Sequence, residues 1–153
     1  MSSIALSSSS SAPAPVAPRA VSWGRFALVG LGTVLAAVLA NLLVYLIGSV
    51  VVGYDPGFVV LANPSGTILF TVIPAIVAVL LYAPLMRFTS NPVRIFTNIA
   101  VVVLILSLIP DLTYIPSVPG ATSGQTAILM LMHVVAAVVI VSMLTSLTRS
   151  ERA

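Results

Sequence analysis

Long apolar stretches separated by short polar ones dominate this chain. They run from Phe26 to Gly48, Thr67 to Met86, Val93 to Ile109 and Gln125 to Leu147. Crossing a hydrocarbon core about 30 Å thick takes roughly 20 such residues, and each stretch reaches or approaches that length. A backbone surrounded by lipid must satisfy its own N–H and C=O groups, which segments this long do as helices. Four membrane helices are therefore predicted, over 26–48, 67–86, 93–109 and 125–147. The links between them are short, which makes consecutive helices antiparallel neighbours. The predicted fold is all-α, an integral membrane four-helix bundle with up-down-up-down order.

Punctuation agrees with these limits. Asn91-Pro92 reads as a cap followed by proline at the first helical position, where a missing N–H costs nothing. Asn63-Pro64-Ser65-Gly66 is a turn cluster before the second helix, Ser123-Gly124 opens the fourth, and Pro110 closes the third. Pro74 and Pro84 fall inside the second helix and predict a kink. Residues 1–22 form a Ser/Ala/Pro-rich arm with too little apolar side chain to offset its ordering entropy, so it is expected to be disordered. Residues 149–153 form a short polar tail.

The helical faces differ. Gly30, Ala37, Asn41, Tyr45 and Gly48 share one stripe of the first helix, Thr71, Ala75, Ala78 and Tyr82 one of the second, and Thr126, His133 and Ala137 one of the fourth. Lipid is as apolar as leucine, so membrane helices associate through small residues and interhelical hydrogen bonds. These stripes are predicted to face the bundle interior.

Composition supports a lipid-embedded chain. Of 153 residues, 59% are hydrophobic and 6% charged, against roughly 25% charged in a soluble domain. All six basic residues are arginines: Arg19 and Arg25 before the first helix, Arg87 and Arg94 around the second link, Arg149 and Arg152 after the fourth helix. Asp55 and Asp111 belong to the other two links. That asymmetry obeys the positive-inside rule, so both termini are expected in the cytoplasm and the aspartate links outside, in a multi-pass protein of the cell membrane. The arginines are too scattered for a nucleic-acid groove, and no nucleic-acid partner is expected. The expected partners are the bilayer itself and a second copy of the chain or another membrane protein. Cysteine is absent, which removes disulfide and thiol chemistry.

Few residues offer chemistry at membrane depth. His133 is the single histidine and the one ionisable side chain well inside a helix. At about 1.5 Å per residue, His133, Asn41 and Thr71 come to similar heights, with Ser107 close by, which makes these four a candidate polar layer drawn from all four helices, in the outer half of the bilayer. Asp111 lies one turn beyond Ser107 and is a candidate hydrogen-bond partner of His133. The plain role for such a histidine is to fix helix register, its nitrogens satisfied by Asn41, Ser107 or a backbone carbonyl. Proton handling or ligand binding is the alternative. One histidine and two distant aspartates do not make a zinc set, and bis-histidine haem would need a symmetric dimer, so no metal or cofactor is expected. No nucleophile elbow, P-loop or dinucleotide fingerprint occurs, and no catalytic residue is assigned. The expected function is non-enzymatic, acting by packing with itself or a membrane partner. The alternative is a small transporter or channel subunit built on the layer around Asn41 and His133.

Several short motifs carry a resemblance. They are Asn41-Leu42-Leu43-Val44-Tyr45, Arg87-Phe88-Thr89, Arg94-Ile95-Phe96-Thr97, Leu106-Ser107-Leu108-Ile109-Pro110 and Leu131-Met132-His133-Val134-Val135. Together they resemble a family of uncharacterised bacterial four-helix integral membrane proteins, a domain of unknown function, over about Phe26 to Leu147. The resemblance implies a membrane location and a bundle, and no activity.

Overall fold

The computed structural model of the protein describes residues 22–147. The predicted arm, apart from Ser22, and the tail over 149–153 lie outside the described residues. Four helices make up the fold: α1 (Trp23–Val51), α2 (Pro64–Phe88), α3 (Pro92–Thr113) and α4 (Ser123–Leu147), with a single 3-10 turn over Ile115–Ser117. Each of the four is long and apolar enough to cross a membrane.

Every helix extends beyond the predicted apolar stretch, and the starts of α2 and α4 carry side-chain capping bonds. Asn63, rather than Asn91, caps with its side chain: its Oδ1 accepts from Ser65 N at 3.0 Å, with Pro64 at the first helical position. Asn91 sits at the N-cap of α3 without a side-chain cap bond. At α4, Thr122 Oγ1 accepts from Gln125 N (3.2 Å) while Gln125 Oε1 accepts from Thr122 N (2.9 Å). This reciprocal capping box satisfies two donors that the helix start would leave bare. Pro110 does not end α3. The helix runs on to Thr113, so Asp111 belongs to its last turn and not to a loop. A proline removes only its own N–H and crowds the turn before it, and a helix near its end absorbs that.

The helix order puts Arg25, Arg87 and Arg94 at one end of the bundle, and Asp55 and Asp111 at the other. α1 is the central strut, packed against both α2 and α4, and α3 leans on α4. Small residues allow the close approach. Gly30, Ala37, Asn41, Tyr45 and Gly48 are all buried along one stripe of α1, and a Cβ on Gly48 would run into the Tyr54 hydroxyl and Ile128. On α4 the buried row is Gln125, Thr126, Leu129, Met132, Ile140 and Leu144. His133 and Ala137, predicted for that seam, are only half-buried. The larger apolar side chains make the α4 core, and the His133 stripe is turned towards α2 and α3. Outward, leucines such as Leu28, Leu39 and Leu43 are mostly exposed.

Two loops close the aspartate end. In the 52–63 loop, Phe58 and Leu61 are fully buried, and Tyr45 Oη donates to the Leu61 carbonyl (3.2 Å). Tyr54 Oη donates to the Tyr45 carbonyl (2.8 Å). Burial, with Tyr45 as the lesser cause, pushes the Tyr54 phenol up to about 12, so it keeps its donor proton. The second loop meets the first at Gly120, whose φ of +77° brings its α-carbon against the backbone of Gly57 and Phe58.

Candidate functional site

α2 and α3 are joined by the three-residue turn 89–91, yet they touch least of the three consecutive pairs. Near the turn, Tyr82 and Phe96 hold them together with ring centroids 4.8 Å apart. Beyond that contact they part around a cavity of about 490 Å³, backed by α1 and α4. Phe70, Val77 and Val103 line it and are 70%, 58% and 54% exposed, so the cavity opens on the flank of the bundle. The short turn predicted antiparallel neighbours, which α2 and α3 are, with their ring contact near the turn.

Asn41, Thr71, Ser107 and His133, the residues of the predicted polar layer, all line this cavity. They do not form one network. Asn41 Nδ2 donates to Thr71 Oγ1 (2.9 Å), and Thr71 Oγ1 donates to the Thr67 carbonyl (2.7 Å). Since the threonine proton is spent on its own helix, Thr71 can only accept from the amide. That fixes the Asn41 flip and leaves its Oδ1 without a partner. Ser107 Oγ donates to the Leu104 carbonyl (2.7 Å), the same back-bonding on α3.

His133 Nδ1 lies 2.9 Å from the Leu129 carbonyl and 3.1 Å from Asp111 Oδ2. Both are acceptors, so Nδ1 carries a proton, and in the neutral ring Nε2 is then an acceptor. The one N–H is aimed at the Leu129 carbonyl, leaving Asp111 Oδ2 in close contact but without a directed hydrogen bond. Of the partners expected for His133, a backbone carbonyl is the one found, and Asn41 and Ser107 bond elsewhere.

The sequence reading missed Thr67. It is buried, lines the cavity, and its Oγ1 has no hydrogen-bond partner. Its signal was its place one turn before Thr71 on the same face. The three buried side-chain polar atoms left unpartnered among the described residues are Asn41 Oδ1, Thr67 Oγ1 and Asp111 Oδ2. The first two belong to cavity-lining residues, and the third sits behind the cavity-lining His133. Leaving such a group bare costs about 1–3 kcal/mol, and all three have almost no accessible surface, so they lie behind the cavity wall and not on it.

A family model matches residues 21–150, which takes in all four helices and every residue lining the cavity. The chain belongs to the Family of unknown function (DUF6069). No curated protein and no solved structure matches it. The expected likeness to an uncharacterised family therefore holds over slightly more of the chain than the motifs span. In this DUF6069 chain the opposite end of the cavity is purely apolar, formed by Leu81, Phe96, Ile140 and Val141. Arg94 is the arginine on the same helix as Asp111 and lies 17 residues away, about 25 Å along α3. The site is thus a one-sided apolar groove with oxygen atoms concentrated at a single end.

Proposed function

We propose that this DUF6069 protein is a non-enzymatic, multi-pass protein of the cell membrane. It holds an apolar molecule, drawn from the bilayer, in the cleft between α2 and α3. The observation that carries this reading is the flank-opening cavity of about 490 Å³, whose mouth lies among the most outward apolar side chains. That volume falls in the range of roughly 300–1,000 Å³ of small-molecule sites. The small-residue seam on α1 is already used within the chain, which removes the main support for packing with a second copy through that face.

The test is a hexadecyl chain with a photoactivatable diazirine at its middle, added to the protein in lipid nanodiscs. Adducts are expected to concentrate on Val77, Val103 and Ala137, and to vanish in Ala100→Trp, which fills the cavity at unchanged helix content. Adducts spread equally over outward positions such as Leu28 and Leu39 would overturn the proposal.

The three described arginines share one end of the bundle, which supports cytoplasmic termini. In a chain without cysteine the orientation is easily read. Asp55→Cys should react with a membrane-impermeant maleimide on intact cells, and Arg87→Cys only after permeabilisation. Equal labelling of both would refute that orientation.

Transport is the second reading, favoured by Pro74 in the wall of the cleft. Its missing N–H leaves the Phe70 carbonyl without its helical donor, a place where α2 can bend. Appearance of a bound molecule in the far leaflet of proteoliposomes, absent with Ala100→Trp, distinguishes a carrier from a holder.

A further inference from the structure

We infer that the molecule held in the cleft carries a neutral hydroxyl, an alcohol or a phenol, which donates to Nε2 of His133. This rests on the binding reading above and adds the group by which the occupant is recognised.

The tautomer of the ring is locked from behind. Nδ1 lies 2.9 Å from the Leu129 carbonyl and 3.1 Å from Asp111 Oδ2. Moving the proton to Nε2 would leave the Nδ1 lone pair pressed against two acceptors, so in the neutral ring the proton stays on Nδ1 and the lone pair on Nε2. Asp111 is thus a positioning residue, 7% exposed and out of an occupant's reach.

The other end of the ring is open. The His133 side chain is 39% exposed and lines the cavity. Its Nε2 has no hydrogen-bond partner among the described residues, and unlike Asn41 Oδ1, Thr67 Oγ1 and Asp111 Oδ2 it is not shut off from the surface. The remaining polar groups of the wall compete little. Asn41, Thr67 and Thr71 are buried, and Thr71 and Ser107 give their hydroxyl protons to carbonyls of their own helices. His133 is the one titratable residue lining the cleft among the described residues. A single acceptor nitrogen therefore stands on a wall of mainly apolar side chains, and one imidazole is too few ligands for a metal.

Depth decides the charge of the occupant. His133 comes ten residues after Ser123, the first residue of α4, about 15 Å along the axis. In a hydrocarbon core about 30 Å thick that level is well below the headgroups. An ammonium, carboxylate or phosphate would have to shed its water to reach it, at a cost that one hydrogen bond does not repay. A hydroxyl is neutral, and its one proton matches the one lone pair on Nε2. An ether of the same shape has no proton to give and leaves the nitrogen bare.

The experiment uses the full chain in nanodiscs of zwitterionic phosphatidylcholine, with histidine carrying the heavy nitrogen isotope. His133 is the only histidine, so magnetic resonance sees a single imidazole. Two matched pairs are added at equal mole fractions: 4-nonylphenol with its methyl ether, and hexadecan-8-ol with its methyl ether. The Nε2 resonance is expected at the unprotonated position and should move on addition of a hydroxyl compound, while its ether leaves it in place. The hydroxyl compound should also displace the diazirine-bearing hexadecyl probe at a mole fraction about fivefold lower than its ether, the worth of one neutral hydrogen bond. His133→Leu should erase that preference. A preference within the phenol pair alone makes the occupant a phenol, and within the alkanol pair alone an alcohol. If neither pair shows a preference, or if it persists in His133→Leu, the inference falls and the cleft remains a binding site. A proton found on Nε2 of the unloaded protein also overturns it, and that measurement stands even where His133→Leu does not fold. If Ala100→Trp is labelled like the wild type, the binding reading itself fails.

Discussion

Gly120→Val is expected to destabilise the protein by about 3 kcal/mol and to undock the 52–63 loop. Two independent costs combine. A left-handed backbone at φ +77° charges a side-chain-bearing residue roughly 1–2 kcal/mol, and a β-branched one more. The new Cβ would also sit 2.7 Å from Phe58 N and 2.9 Å from Gly57 C, backbone atoms that cannot rotate aside. The contrast is Gly32→Ala in α1, where a Cβ meets nothing within 4 Å. There the change should raise stability by up to about 1 kcal/mol, as glycine leaves a helix interior. Unfolding midpoints of the two variants in mixed micelles, followed by circular dichroism, should move in opposite directions. A Gly120→Val midpoint equal to that of the wild type would show that the two loops are not in contact.

Tyr82→Ala is expected to cost about as much for a different reason. Tyr82 is 1% exposed and packs with Phe26, Phe96 and Leu144 in the core at the arginine end. In water, truncation loses transfer energy and leaves a void. In lipid the transfer component fades, because the alternative surroundings are equally apolar. The void remains. At about 24 cal/mol per Å³, an unfilled space of roughly 100 Å³ costs about 2.4 kcal/mol. Loss of the ring pair with Phe96 adds about 1 kcal/mol. Tyr82→Phe keeps both the volume and the ring pair, so its loss should be much smaller, and the difference between the two variants isolates the packing contribution. Since this pair closes the near end of the cleft, Tyr82→Ala should also extend photolabelling towards Met86. Labelling confined to its wild-type positions would place the closure elsewhere.

Much of the architecture could be read from the chain because long apolar runs leave the backbone few choices besides a helix. Four such runs are each long and apolar enough to cross a membrane, and small residues at helical spacing on α1 mark the face that packs. The helix ends were less legible. Pro110 looked like a stop, but whether a proline terminates a helix or is absorbed depends on what the next turn contacts, here Asp111 against α4. The Thr122–Gln125 capping box was present as a T-x-x-Q pattern and went unread beside the adjacent Ser123-Gly124. Heights along the helices brought Asn41, Thr71, Ser107 and His133 to one level, yet height says nothing about which hydroxyl has already spent its proton. That depends on rotamers, namely Thr71 and Ser107 turned back onto their own carbonyls. The parting of α2 and α3 was the least visible feature. It lies beyond the Tyr82–Phe96 ring contact, among residues of all four helices, and no single segment encodes it.

The contact between the two loops also bears on the proposed binding. The 52–63 loop meets the other loop at Gly120 and a tight turn joins α2 to α3 at the near end, so in that reading a molecule enters the cleft through its open flank. By that sideways route, occupancy should answer to the makeup and lateral pressure of the surrounding leaflet, and hardly at all to solutes in the water on either side.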